Sequence, residues 1–306
     1  MADFNSEISI RDLISEIFKA KLIIGIFVAS LSICAFMYAR FIPDTYEAEA
    51  LLVPVDQQSS GLSALLGGFD GVSTLVGLGN LNSGPKDKDI ALQLLQSWDF
   101  VEAFIVKHGL AVDIYAVSHW DKESRTLAID PKIYDTKRSA WVRDVPIGKS
   151  PEPTSWQLYK RFMEYLSVSE NKKTGFITLA IEYYSPDKAA EWLGMIISDL
   201  NEHLRLRKIK EARDNIEFLT ENVEKTKVAE MKAVFFELME EQTKVLMLAG
   251  AGNEYALKTV SAAKVPEVKS GPRRVVMTAL GAVGGLFLGV GYTLFRVVIG
   301  RNRELR

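Results

Sequence analysis

Two long apolar runs, one near each end of the chain, restrict its fold more than any other feature of the sequence. Residues 22–39 (LIIGIFVASLSICAFMYA) and residues 275–295 (VVMTALGAVGGLFLGVGYTLF) contain no charged side chain. A helix rises about 1.5 Å per residue, so each run is long enough to cross a hydrocarbon core of about 30 Å. We therefore predict transmembrane helices over residues 22–42 and 275–295.

A cleaved signal peptide is the alternative for the first run. The residues before it include Asp3, Glu7, Asp12 and Glu16, whereas a signal peptide begins with a short basic segment. Arg40 follows directly, where a cleavage site would need small residues. These features favour a retained helix.

The short flanking segments carry slightly more positive charge outside the two helices than between them, which predicts cytoplasmic termini and a periplasmic domain between the helices.

Composition restricts the partners and the chemistry of that domain. The net charge of −2 gives no bulk attraction to nucleic acid, so we expect no nucleic-acid partner. Cys34 is the only cysteine and lies within the first apolar run, so the domain between the helices contains no disulfide. Its stability must come from packing and assembly.

The pattern of the remaining segments predicts an α+β fold. Residues 1–21 form an amphipathic segment on the cytoplasmic side, or simply extend the first helix. Residues 43–185 form an α/β base domain, and residues 251–274 a return strand and a linker, before a cytoplasmic tail over residues 296–306. Within the base domain we expect a strand at 45–55, a partly ordered loop at 57–85, a helix at 86–107, an irregular stretch at 117–155, a helix at 156–166 and a second strand of a hairpin at 176–184.

A long helical region, residues 186–250, follows this hairpin. Ser185 can cap the helix, Pro186 suits its first turn, and Asp187 complements its dipole. A single straight helix would reach about 95 Å, and the remaining chain is too short to return comfortably to the membrane. We therefore predict a helical hairpin that turns near residues 220–227, although no glycine or proline marks the turn. The apolar side chains expected to pack the helices, or copies of the chain, are Ile209, Ile216, Leu219, Val223, Met231, Phe235 and Leu238.

No catalytic constellation is apparent. His108, His119 and His203 do not have metal-ligand spacing. The sequence Gly148-Lys149-Ser150 resembles the end of a phosphate-binding loop, but Arg143 occupies the position of the first glycine that the motif requires. We expect no enzyme activity, no metal and no cofactor.

The second apolar run contains Gly281, Gly285 and Gly289, spaced four residues apart. This spacing lets another helix approach closely, which predicts self-association or pairing with the first helix. The alternative is that these glycines make no specific contact, because glycine is common in membrane helices.

A segment that contains Pro266 and Pro272 precedes this helix and is followed by Arg273 and Arg274. Proline stiffens such a segment, and the two arginines can reach lipid phosphates. A plain linker is the alternative interpretation.

These residues resemble the polysaccharide co-polymerases, the chain-length determinant proteins of the Wzz type. The resemblance lies in the TYEAEALLVPV strand, the FITLAIEYYSPDKAAEWL block, the EEQTKVLMLAGAGNEYALKTV segment and the proline-containing, glycine-rich end. Two departures concern the linker, where the family commonly has Asp-Pro-Ala and this chain has Ser261-Ala262-Ala263, and where one usual proline falls at Lys269.

The resemblance implies a non-enzymatic homo-oligomer of the bacterial inner membrane. Its partners would be a polysaccharide polymerase and the growing glycan, and its role would be to set the chain length of O-antigen lipopolysaccharide. A component of capsule or exopolysaccharide export is the second hypothesis. An enzyme of glycan synthesis is the third, and it lacks the clustered carboxylates or nucleotide-sugar site that it would need.

Overall fold

A computed structural model describes residues 20–55, 87–250, 252 and 254–304. The predicted amphipathic segment and the predicted loop at 57–85 lie outside the described residues, apart from the last two residues of the former. The chain divides into two compact units. One contains the terminal segments, up to Thr45 and from Lys269 onward, and the other extends from Tyr46 to Val268. Helices and antiparallel strands together confirm the predicted α+β class.

The secondary-structure elements are numbered in chain order. The helices are α1 (Lys21–Phe41), α2 (Asp87–Leu95), α3 (Trp98–His108), α4 (Ala111–Tyr115), α5 (Ser155–Tyr165), α6 (Pro186–Lys225), α7 (Ala229–Gly250) and α8 (Arg274–Glu304). The strands are β1 (Tyr46–Pro54), β2 (Val117–Asp121), β3 (Thr126–Ile129), β4 (Tyr134–Asp135), β5 (Ala140–Trp141), β6 (Leu166–Glu170), β7 (Ile177–Tyr183) and β8 (Leu257–Ser261).

The terminal unit contains the two apolar helices. Helix α1 has 21 residues, and the 23 residues of α8 from Arg274 to Arg296 form its apolar part. Both are long and apolar enough to cross a membrane. Helix α8 continues to Glu304, beyond the predicted end at 295, because no proline occurs in the following residues and one glycine, Gly300, costs a helix only about 1 kcal/mol.

A four-stranded antiparallel sheet in the order β6-β7-β1-β8 forms the centre of the second unit. Strand β1 alternates as predicted, and it buries Tyr46, Ala48, Ala50 and Leu52. Helix α6 packs on the sheet and buries its own apolar side chains against it, and each fully buried large side chain contributes roughly 1.5–3 kcal/mol of transfer free energy. The side chains of α6 in this core include Trp192, Leu193, Ile196 and Leu200.

The predicted helical hairpin is confirmed. The Ser185 hydroxyl accepts the Lys188 N–H at 3.4 Å and begins α6, which continues to Lys225. Residues 226–228 make the turn, at the end of the predicted interval, and α7 packs back along α6. The Thr226 N–H closes the last turn of α6 on the Asn222 carbonyl, so the helix ends without a glycine or a proline.

Two details differ from the sequence-based prediction. The helix predicted over 86–107 is two helices, because the Ser97 hydroxyl accepts the Phe100 N–H and donates to the Leu94 carbonyl. The apolar pattern continues across this break, so the break cannot be predicted from the pattern.

The stretch at 117–155, predicted to be irregular, contains two short hairpins, β2–β3 and β4–β5. Asp121 accepts the N–H of Glu123 and thereby stabilises the first of these turns.

Buried tyrosines give the second unit a specific pH dependence. Burial raises the pKa of both Tyr165 and Tyr183, and the Tyr183 hydroxyl donates to the Asp113 carbonyl at 2.5 Å. Above about pH 10 an unfolded tyrosine loses its proton whereas these two keep theirs, so stability must fall as the pH rises. We expect the Tyr183→Phe variant to lose less of its thermal stability between about pH 9 and about pH 11 than the wild type does. Equal losses in both proteins would contradict this origin.

Candidate functional site: the paired terminal helices and the helical hairpin

The glycines of α8 lie directly against α1 of the same chain. A Cβ atom built on Gly281 would lie 2.6 Å from the Cβ of Ala35, and one on Gly289 would lie 3.0 Å from the Cα of Ile24. At Gly285 the added atom would lie 2.7 Å from both the Phe27 carbonyl oxygen and the Val28 Cα.

The glycine spacing therefore creates close packing between two helices of one chain. Of the two contacts predicted for these glycines, the structure contains the pairing with the first helix. The rings of Phe27 and Tyr292, with centroids 5.6 Å apart, continue the same interface. Gly291, by contrast, has no atom within 4 Å of a built Cβ.

A charged cluster joins the two helices at the end where α1 finishes and α8 begins. The carboxylate of Asp44 accepts hydrogen bonds from Lys269 Nζ at 3.0 Å and from a guanidinium nitrogen of Arg274 at 2.8 Å. Arg274 Nε also donates to the Ala39 carbonyl at 3.2 Å. The backbone N–H of Thr45 donates to the Gly271 carbonyl at 3.1 Å, so the two chain segments are bridged beside this cluster.

The predicted membrane-flanking residues thus have different surroundings. Arg273 is exposed, and Arg274 is bound to Asp44 within the protein. Pro266 and Pro272 are half-buried in the segment between β8 and α8. Lys269 contributes an ion pair to Asp44. Sequence reasoning missed the contribution of Asp44, since its partners are 225 and 230 residues away.

The residues predicted to pack the hairpin are covered unequally. Leu219 is buried, whereas Met231 is 47% exposed. The other predicted residues are half-buried: Ile209, Ile216, Val223, Phe235 and Leu238. Further apolar side chains of the hairpin that the prediction did not include are more exposed, among them Phe218 at 66%, Phe236 at 57% and Met247 at 71%. The fold of a single chain therefore leaves a substantial apolar surface on α6 and α7.

A buried amide fixes the base of the hairpin. The Oδ1 atom of Asn201 on α6 accepts the N–H groups of Ala256 and Leu257, both at 3.0 Å. Its Nδ2 donates to the Leu257 carbonyl, also at 3.0 Å. Asn201 is only 2% exposed, and its amide satisfies backbone groups where the chain leaves α7 and enters β8. An isolated asparagine within an apolar helical pattern was the only signal of it in the sequence.

The side chains considered for chemistry remain in separate places. His108 Nε2 lies 2.8 Å from Asp199 Oδ2, His119 Nδ1 lies 3.1 Å from the Ser118 hydroxyl, and the ring of His203 contacts Phe100. Within the described ranges no group of three or more His, Cys, Asp or Glu side chains could hold a metal ion.

The Gly148-Lys149-Ser150 segment has the geometry of a turn. Gly148 has a φ of +91°, and the Lys149 N–H donates to the Pro146 carbonyl at 3.0 Å. A phosphate-binding loop leads directly into a helix, whereas the next helix here, α5, begins only at Ser155. Arg143 donates to Tyr115, Gln157 and the Pro151 carbonyl, and so holds the loop in place. The segment therefore has the wrong geometry for a phosphate-binding loop.

One protein-family model matches part of the chain. The model of the Wzz family, described as chain length determinant protein, matches residues 6–108. This match confirms the resemblance that the sequence predicts. No curated protein matches the chain.

Solved structures of the same kind are also similar to the chain. A full-length bacterial polysaccharide co-polymerase is 12% identical, with a TM-score of 0.37 over 96% of this chain and 99% of that one. A fragment of WzzB, a polysaccharide co-polymerase from Salmonella Typhimurium, is 12% identical, with a TM-score of 0.31 over 75% of this chain and 100% of that one. Neither TM-score is high enough to establish a common fold.

Proposed function

We propose that this protein regulates the chain length of a surface polysaccharide, the O-antigen of lipopolysaccharide, as an oligomeric scaffold that acts with the polymerase. The observation that carries the proposal is the match of residues 6–108 to the chain length determinant family. In this role the protein positions the polymerase and the growing glycan and performs no chemical step itself.

The two apolar helices support a two-pass protein of the bacterial inner membrane. With both termini in the cytoplasm, the unit from Tyr46 to Val268 occupies the periplasm, where the glycan is extended. The positive charges outside the two helices favour this orientation. The glycines that hold α8 against α1 keep the two anchors of each copy together.

Assembly of several copies follows from the apolar surface of the hairpin. Exposed side chains such as Phe218, Phe236 and Met247 are costly in water, and the same surface on a second copy can cover them. Because the domain between the helices lacks cysteine, this burial has to supply the stability of the assembly without disulfides.

A gene deletion tests the proposed function. Lipopolysaccharide from the deletion strain should lose its preferred chain length on a gel, and the wild-type gene on a plasmid should restore it. An unchanged lipopolysaccharide ladder would contradict control of O-antigen length. Loss of capsule with an intact ladder would instead support the export hypothesis.

A further inference from the structure

Two neighbouring tryptophans lie on the surface of the unit between the terminal helices. Trp98 opens α3 and is 42% exposed, and Trp156 lies in the first turn of α5 and is 44% exposed. Their ring centroids are 5.1 Å apart and the rings meet edge to face, at 62°. Adjacent indoles exposed to this extent are unusual on a water-facing surface, because large aromatic side chains are normally mostly buried.

Local contacts hold the pair in a fixed arrangement. Tyr159 stacks on Trp156, with centroids 5.3 Å apart and planes 28° apart, and its hydroxyl donates to the Gln96 carbonyl at 2.8 Å. The ammonium of Lys160 lies 5.2 Å from the centre of the Trp156 ring. A ligand that stacks on these rings would therefore order little that is not already ordered, and such preorganisation favours binding.

The surroundings of the two indoles are polar. On α3 and α5 the strongly exposed large hydrophobic side chains are Trp98, Trp156 and Val106, and Val106 lies about two turns beyond Trp98. Gln96, Asp99 and Lys160 are exposed beside them in the sequence. A membrane-inserting or protein-docking surface would place several aliphatic side chains next to the rings, whereas the neighbours of the two rings in the sequence are Ser97, Asp99, Ser155 and Gln157.

We propose that Trp98, Trp156 and Tyr159 form an aromatic platform that binds the polysaccharide itself. A pyranose ring presents C–H groups on its faces, and these fit the electron-rich face of an indole, while its equatorial hydroxyls match a polar rim. The inference rests on the proposed function and adds to it a direct contact with the glycan, at named residues outside the hairpin.

The test uses the full-length protein in lipid nanodiscs. The probe is the polysaccharide released by mild acid hydrolysis from lipopolysaccharide of the strain that encodes the protein, with binding measured by calorimetry. Trp98→Ala and Trp156→Ala should each weaken binding about tenfold, while Trp156→Phe, which keeps a ring, should bind within about threefold of the wild type. Val106→Ala removes a side chain that is 73% exposed on α3, outside the platform, and is the matched control, which should bind like the wild type.

Three results would overturn the platform. One is the absence of polysaccharide binding by the wild type, and another is equal binding by the wild type and a Trp98→Ala/Trp156→Ala double variant. The third is a double variant that binds polysaccharide like the wild type but no longer binds vesicles of anionic phospholipid. That result would assign the rings to a membrane surface. The midpoint temperature of each variant is measured as well, because more than half of each tryptophan is covered and removal of its packed ring lowers stability.

Complementation of the deletion strain separates this inference from the proposed function. If the wild-type gene and the gene of the double variant both restore the preferred chain length fully, the platform is refuted and the proposed function stays intact. A wild-type gene that has no effect on chain length refutes the proposed function, whatever the binding measurements give.

Discussion

Replacing Gly285 by leucine is expected to separate α1 from α8. The new Cβ would lie 2.7 Å from the Phe27 carbonyl oxygen and the Val28 Cα, which are backbone atoms and cannot rotate away. Overpacking of this kind costs about 1–3 kcal/mol. In lipid no hydrophobic force draws the helices back together, since the tails are as apolar as the side chains.

Crosslinking within one chain measures this separation. In a Cys34→Ser background, cysteines in place of Phe27 and Tyr292, whose rings are in contact, should be joined efficiently by a short bismaleimide. Adding Gly285→Leu should lower the yield about tenfold, the factor that corresponds to about 1.4 kcal/mol. Gly291→Leu is the matched control, because nothing lies within 4 Å of its added Cβ. Similar yields in the two leucine variants would remove the glycine packing as a cause of helix pairing.

Replacing Asn201 by leucine is expected to have the largest effect on the stability of the other unit. The substitution removes three hydrogen bonds to Ala256 and Leu257 in a buried place and leaves their backbone groups without this partner. Each buried polar group left unsatisfied costs about 1–3 kcal/mol, so a total loss of about 3 kcal/mol or more is expected.

Thermal unfolding in detergent, with hydrogen exchange at the Ala256 and Leu257 amides, tests this prediction. Exchange at both amides should accelerate and the midpoint temperature should fall clearly. Asn215→Leu is the matched control on the same helix, because Asn215 makes one exposed hydrogen bond, to Gln242 at 3.3 Å. It should change stability by about 0.5 kcal/mol or less. An effect of Asn201→Leu no greater than that of Asn215→Leu would contradict the role assigned to the buried amide.

Local patterns predicted the elements that depend on neighbouring residues. The apolar runs gave α1 and most of α8, and the Ser185-Pro186-Asp187 sequence gave the start of α6, because capping and helix length are decided within a few residues. The turn between α6 and α7 came from chain geometry, since α7 has to bring the chain back to α8. The break at Ser97 was missed, because a single side-chain hydrogen bond produces it within a continuous apolar pattern.

The candidate functional residues divide in the same way. The spacing of Gly281, Gly285 and Gly289 is visible in the sequence, but two partners were possible, and only the packing against α1 identifies which one the chain itself supplies. Tyr159 and Gln96 are 63 residues apart, so no sequence pattern places Trp156 beside Trp98. Asp44 and Lys269 are 225 residues apart, so no sequence pattern predicts their contact either.

The sequence by itself determined the two apolar terminal helices, the α+β class and the start of the long helical region, because hydrophobic length, periodicity and capping are local properties. The turn of the hairpin followed from the short length of the chain after it. Only the tertiary structure decided that the glycine face packs on α1, that Asp44 holds Arg274, and that two exposed indoles share one surface. These contacts join residues distant in the chain, and their geometry depends on how whole helices and strands pack.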